Sequence, residues 1–271
     1  SPTFEASGPS RGKASSARGD FITPRYLVQR EEGDQHPKVF AKPGQVLVWP
    51  GQFLLGEPRQ RPNQPQESGV AANNFPSWAA QGSYLVCRRL NQDVTAFWNF
   101  AAEAAARVGV APVAVAAALV GRWPSGAPLM RTPASDNAAL AGDPFANNHF
   151  FFDDDTRPSS LRAIPGYAGD TFAPARADML GAVCPHFAHI RKANPRDSAT
   201  DLGKMEDTLT RLILRRGIPF GAPIFGVKQR TPKLLAQERG LMFLCYGSTI
   251  EDQFEFLTRR WANSAIQPNF G

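Results

Sequence analysis

The chain has 271 residues, 42% of them hydrophobic and 20% charged, which is typical of a soluble globular protein of one or two domains. Its net charge of +6 comes without a block of Lys and Arg, so nothing indicates a nucleic-acid partner. No apolar run reaches the ~18 residues of a membrane span. Three scattered cysteines exclude a disulfide framework and leave both a cytoplasmic and a secreted location open.

The first 80 residues predict little regular structure. Residues 1–40 and 56–80 are rich in Gly, Pro, Ser, Asn and Gln, which favour loops. Between them, residues 44–51 are an apolar run that ends in Pro-Gly and predicts one short strand. We therefore expect an irregular linker here.

From residue 81 the pattern becomes that of a packed domain. Residues 83–90 predict a strand, and residues 91–108 predict a helix with one apolar face. Pro112 begins a second helix that stops at Gly121, and residues 121–185 read as mostly loop.

The last third alternates between strands and helices. Residues 211–215 predict a strand or short helix, residues 217–221 a turn, and residues 240–246 a strand. Residues 248–251 form a capping-box pattern, which predicts a helix to about Asn263.

The order strand, helix, strand, strand, helix indicates a split β-α-β unit, an α+β ferredoxin-like fold with an antiparallel sheet. Such a unit needs a further strand, and the sequence stops at Gly271 before supplying it. We expect that strand to come from elsewhere.

Residues 184–197 hold the densest group of chemically active side chains, and three interpretations are open. A zinc site would use Cys184, His186 and His189, although their spacing matches no common zinc pattern. A basic surface loop is the second. The third is a histidine ligand of haem iron, beside arginines that pair with the haem carboxylates.

The same segment resembles the Cys-Pro-x-x-Ala-His-Ile-Arg-x-x-Asn-Pro-Arg signature of the dye-decolourising (DyP-type) haem peroxidases. Further stretches resemble the family in the same order along the chain: residues 44–56, 120–128, 214–221, 239–246 and 250–263. Each stretch is weakly specific alone, but together they extend the resemblance from about residue 40 to residue 263.

The resemblance implies a site for haem b. His189 would bind the iron from the proximal side, and Arg215 would lie over the distal face. There its charge would stabilise the breaking O–O bond of peroxide, which leads to a ferryl haem. Arg191 and Arg196 would pair with the haem propionates. Leu241 and Phe243 would line the distal pocket.

The implied activity is that of an oxidoreductase, a peroxidase that uses hydrogen peroxide to oxidise dyes, phenols or similar small molecules. The implied architecture is a two-domain haem peroxidase of the dimeric α/β-barrel type. The alternatives are a haem-binding homologue without peroxidase activity and a structural subunit of a larger complex.

Two parts of the family pattern are missing from the sequence. One is the Gly-x-x-Asp-Gly motif, whose Asp moves a proton between the peroxide oxygens, and the other is a last strand with a carboxylate for the proximal histidine. The sequence also does not begin with Met. Together these observations predict that the chain is one fragment of an enzyme. Residues 1–80 would follow a missing N-terminal ferredoxin-like domain, and residues 81–271 would be the haem-binding domain without its last strand. Companion chains would carry the N-terminal domain with the catalytic Asp, and the final strand.

Overall fold

The computed structural model describes residues 44, 48–60, 70–71, 74–143, 146–153, 171–224, 231–265 and 268. The strands are β1 (Pro58–Arg59), β2 (Val70–Ala71), β3 (Tyr84–Asn91), β4 (Leu214–Arg215), β5 (Ile218–Phe220) and β6 (Gly240–Gly247). The α-helices are α1 (Val94–Val108), α2 (Pro112–Val120), α3 (Ala138–Gly142), α4 (His189–Ala193), α5 (Met205–Thr208) and α6 (Pro232–Leu235). Single 3-10 turns are Pro50–Gln52, Ser77–Ala79, Ala146–Asn148 and Leu209–Arg211. Two π-helical segments, which we call the terminal helix, are Ile250–Glu255 and Leu257–Ala262.

An antiparallel sheet joins strands from residue 84 to residue 247. Strand β6 lies in its centre, with β3 along one edge and β4 and β5 along the other. Helix α1 follows β3 and the terminal helix follows β6, which is the split β-α-β order. The predicted α+β ferredoxin-like fold is therefore confirmed, and β1 and β2 form a separate two-stranded sheet.

The predicted helices α1 and α2 are also confirmed, and local residues explain their ends. The Asp93 carboxylate caps α1 by accepting the Ala96 N–H at 2.8 Å. Both helices end at a glycine in the left-handed region, Gly109 with φ 73° and Gly121 with φ 90°. A Cβ added at Gly121 would lie 2.4 Å from Cγ1 of Ile190 on α4, so this glycine also allows α2 to approach α4 closely.

Three local predictions differ from the structure. Residues 217–221 are not only a turn, because Ile218–Phe220 pairs with β6 as strand β5. The capping box at residues 248–251 does not form: the helix begins after Thr249 without a side-chain cap, and its turns are π-helical. Of the strand predicted over residues 44–51, only Gly44 and residues 48–51 are described, and Pro50–Gln52 is a 3-10 turn.

The main hydrophobic core lies outside the sheet. It joins α2, α3 and the loops around them, and its buried members include Trp123, Leu140, Phe150, Phe152, Cys184 and Ala188. A second, smaller cluster packs the terminal helix through Phe256, Leu257 and Trp261 against Leu202 and Ile213. Helix α4 therefore lies between these two hydrophobic clusters.

Among the helices that the structure describes, none is by itself long and apolar enough to cross a membrane. Helices α1 and α2 meet that test of length and composition only as a pair, and a bend of 110° separates them.

Candidate functional site

His189 is the first residue of α4. The residue is exposed, whereas Ala188 and Arg191 beside it are buried. The protein packed around the ring lowers the pKa of His189 to about 4, first by desolvation and then through the positive charge of Arg215. The imidazole is therefore neutral at neutral pH, the state in which it binds a metal.

Arg215 lies on β4, directly opposite Cys245 of β6. Paired residues of an antiparallel sheet share a face, so Arg215 lies on the same face as Cys245 and its alternate neighbours Phe243 and Leu241. The charge of Arg215 also contributes to the low pKa of His189, so the two residues interact electrostatically. Strand register places Arg215, Leu241 and Phe243 on one face of the sheet, and their roles in a haem site stay predictions.

The terminal helix packs against both this sheet face and α4. The ring of Phe254 lies 5.8 Å from the ring of Phe243, and α4 packs against the second half of the helix. The site therefore has an apolar sheet face with one fixed cation on one side, and a neutral imidazole on the other.

A loop behind the site, residues 146–153, is held by arginines, and we call it the clamped loop. Buried Arg122 and Arg131 donate to its backbone carbonyls at 3.0–3.1 Å. Half-buried Arg196 donates to the carbonyls of Asn148 at 3.1 Å and Phe150 at 2.5 Å, and its guanidinium stacks 3.7 Å from the Phe150 ring centroid. These contacts help to satisfy the backbone carbonyls of a largely buried loop.

The two arginines predicted to bind propionates are placed differently. Arg196 adopts a left-handed φ of 56° and directs several of its N–H groups to the clamped loop, so its contact with a propionate stays a prediction. Arg191 is fully buried and donates to Asp178 and to the Cys184 carbonyl. Its guanidinium is held in the interior, and this placement does not support the predicted propionate contact.

Cys184, His186 and His189 do not form a zinc site. Burial raises the pKa of the Cys184 thiol to about 12, which opposes the thiolate that zinc requires. His186 uses Nε2 in a contact of 2.9 Å with the Met179 carbonyl. Within the described ranges, no group of three His, Cys, Asp or Glu side chains is arranged to hold a metal ion.

A haem fits these residues better. Haem iron takes a single neutral imidazole from the protein, and His189, which is exposed and has a lowered pKa, offers one. The partly buried Leu241 and Phe243 on the facing strand match the apolar surface of a porphyrin.

The family described as Dyp-type peroxidase, C-terminal, matches residues 111–268. The chain belongs to the DyP-type peroxidase family. This family depends on haem, which favours the haem interpretation of residues 184–197 over the zinc site and the basic surface loop, while the roles of the individual residues stay predictions.

Fungal members of the DyP-type family are among the similar proteins. Peroxidase 2 of Mycetinis scorodonius is 34% identical, over 92% of this chain and 47% of its own length. Dye-decolorizing peroxidase AauDyP1 of Auricularia auricula-judae is 33% identical, over 71% of this chain and 35% of its own length. The chain thus spans about half or less of the curated relatives that it matches.

Solved structures agree with the fold. An ancestral D-type dye decolorizing peroxidase superimposes with a TM-score of 0.60 at 35% identity, covering 84% of this chain and 44% of the other. A fungal DyP-type peroxidase from Auricularia auricula-judae gives a TM-score of 0.59 at 30% identity, covering 84% and 45%.

Sequence reasoning missed Asp178 and the clamped loop. Asp178 lies in a loop without periodicity, and its partners are backbone N–H groups and Arg191, which no single-sequence pattern displays. The only available signal was the density of arginines near buried aromatic residues.

Proposed function

We propose that this chain forms the haem-binding half of a peroxidase, with haem b held between α4 and the face of the sheet that carries Arg215. The packing of the terminal helix supports this most directly, because it contacts both α4, which carries His189, and Phe243 on the Arg215 face of the sheet. The charge of Arg215 also lowers the pKa of His189. When bound, the haem supplies the redox-active iron that passes electrons from a donor to hydrogen peroxide.

Each residue of the site has a defined task. His189 donates the lone pair of a neutral imidazole to the iron. Arg215 keeps its positive charge at every relevant pH and stabilises negative charge on a peroxide oxygen as the O–O bond breaks. Leu241 and Phe243 exclude water from the same face, which strengthens the effect of that charge. Dyes, phenols or similar small molecules would act as electron donors.

We further propose that additional polypeptide covers β3. Nearly all of this strand is exposed on both faces, with Leu85 at 49% and Leu90 at 39%, and Ile218 of β5 is 62% exposed. No strand among the described residues pairs with its outer edge, and an open apolar edge favours association. An N-terminal domain with the catalytic Asp, and a final strand, would supply the covering face and the missing partner. A Leu85→Lys substitution should then release that polypeptide in size-exclusion chromatography, while exposed Arg107→Glu on α1 should not.

The deciding experiment is an absorption spectrum of the purified protein before and after one equivalent of hydrogen peroxide. We expect a Soret band that shifts on peroxide addition, and we expect His189→Ala to remove the ligand-dependent features of the band. His186→Ala is the matched control and should leave them unchanged. A Soret band that does not respond to peroxide favours a haem-binding homologue without catalysis. Absence of the band favours a structural subunit.

A further inference from the structure

The buried ion pair between Asp178 and Arg191 lies directly behind α4. We infer that these two are positioning residues for His189: they set the direction of the imidazole without contacting the cofactor. The inference rests on the proposed role of His189 as iron ligand.

Asp178 organises the segment that leads into α4. Its carboxylate is buried at 5% exposure and accepts three consecutive backbone N–H groups, from Ala182 at 2.7 Å, Val183 at 3.1 Å and Cys184 at 2.8 Å. A carboxylate with three backbone donors fixes a loop as a helix cap does. The path of the chain five residues before His189 is therefore set by one side chain.

Arg191 holds the helix itself to the same carboxylate. It follows His189 by two positions in α4 and is fully buried. Its Nη1 donates to Asp178 Oδ2 at 3.2 Å, to the Asp178 carbonyl at 2.8 Å and to the Cys184 carbonyl at 3.0 Å. Asp178 thus binds the chain on both sides of the histidine.

A second set of contacts ties Arg191 to the clamped loop. Nη2 lies 3.4 Å from Asp153 Oδ1 and 3.5 Å from Ser198 Oγ, and the guanidinium lies 4.5 Å from the centroid of the Phe152 ring. Two carboxylates and one aromatic face therefore surround the cation, so rotation of α4 would break several contacts at once.

Helix α4 needs this support because it is short. It has five residues, and its N-cap, Ala188, provides no side-chain hydrogen bond. A helix of this length has almost no stability of its own in water, since nucleation outweighs the few hydrogen bonds formed. The direction of His189 must therefore come from tertiary contacts, and those of Arg191 are the nearest buried polar ones on the helix.

The test uses the haem-loaded, assembled enzyme with Arg191→Lys and Asp178→Asn. Lysine keeps the charge but lacks the planar fork of donors, and asparagine keeps the shape but loses the charge. We expect both variants to bind haem about 10–100-fold more weakly and to alter the spin-state bands of the iron. Arg107→Lys, at an exposed position on α1, is the matched control and should change neither.

A double substitution separates positioning from general damage. In His189→Gly supplied with free imidazole, the ligand is no longer attached to α4, so adding Arg191→Lys should leave the iron spectrum unchanged. The inference is overturned if Arg191→Lys and Asp178→Asn both leave the spectrum of the His189 enzyme unchanged, or if Arg191→Lys alters the imidazole-supplied enzyme equally. If Arg191→Lys does not fold by circular dichroism, the isosteric Asp178→Asn takes its place in the cycle. His189→Gly that keeps a histidine-ligated spectrum without imidazole would instead refute the ligand assignment on which the inference depends.

Discussion

The two walls of the site are built in different ways. The wall that carries His189 is a set of loops and short helices in which buried arginines satisfy backbone carbonyls, and Phe150 and Phe152 are fully buried. The wall that carries Arg215 is a regular sheet, yet its strand β3 is exposed on both faces. Regular hydrogen bonding therefore does not identify the better-packed wall. The irregular wall is held by its own polar contacts, and the regular one places its residues by strand register alone.

The largest effect is expected at Arg215, on the sheet wall. Replacing it with Leu should slow peroxide reduction by about 10²–10³-fold, because a fixed charge aimed at the breaking bond is lost. Stopped-flow absorbance at the Soret band measures this rate, and haem binding should persist. Arg216→Leu removes the adjacent exposed charge on the opposite sheet face and should leave the rate near its original value. If both variants reduce peroxide at the same rate, Arg215 does not lie where the O–O bond breaks.

The next prediction compares the walls by stability. Arg122→Met should lower the free energy of unfolding by about 3 kcal/mol, because the buried Asn147 carbonyl and the partly buried Gly126 carbonyl lose their donor. Arg89→Met on the sheet removes an exposed pair with Glu238 and should cost about 1 kcal/mol or less. Urea denaturation of the two variants measures both values. If both variants lose a similar free energy of unfolding, polar contacts stabilise the two walls equally.

A third prediction uses the glycines that end α1 and α2. Both have positive φ, but a Cβ at Gly109 meets nothing within 4 Å, whereas one at Gly121 overlaps Ile190. Gly121→Ala should therefore lower stability by about 2 kcal/mol more than Gly109→Ala, the difference being the cost of overpacking against α4. Thermal unfolding of the pair gives that difference directly, and a value near zero would mean that α4 moves freely away from α2.

The smallest effect is expected on the sheet side, at the start of α1. Asp93→Ala removes the cap on the Ala96 N–H and should cost about 1 kcal/mol. Glu103→Ala, at an exposed position in the middle of the same helix, should change stability by less than about 0.5 kcal/mol. If Asp93→Ala does not change the stability, packing and not the cap determines where α1 begins.

The sequence predicted those elements whose residues carry a local signal. Strands β3 and β6 and helices α1 and α2 combine a clear hydrophobic pattern with Asp, Pro or Gly at their ends, so their bounds were nearly correct. Strand β5 was missed because Pro219 lies between Gly217 and Gly221, which favour a turn, and only pairing with β6 shows a strand. The terminal helix was predicted, but its π-helical turns were not. Its Gln253 side chain accepts the Thr249 N–H and donates to the Gln52 and Leu212 carbonyls, which are tertiary contacts that a sequence pattern does not display.

The site divides in the same way. His189 and Arg215 came from motif resemblance, and sheet register explains why Leu241 and Phe243 accompany Arg215. The task of Arg191 could not be predicted, because a motif gives the presence of a cation and not its direction. Only the tertiary structure shows that this arginine is directed toward Asp178, into the interior.

The separation of the main core from the sheet has a consequence for how the molecule opens. Within the described residues, that core contains no strand residue, so its cooperative unit is bounded by α2, α3 and the loops up to α4. Hydrogen exchange would then divide the backbone amides into two populations. Amides near Phe150 and Cys184 would exchange only when this unit opens, while those of β3 would exchange through local fraying at the edge. The segment that carries His189 would therefore stay folded while strand β3 frays at the other end of the protein's hydrogen-exchange range.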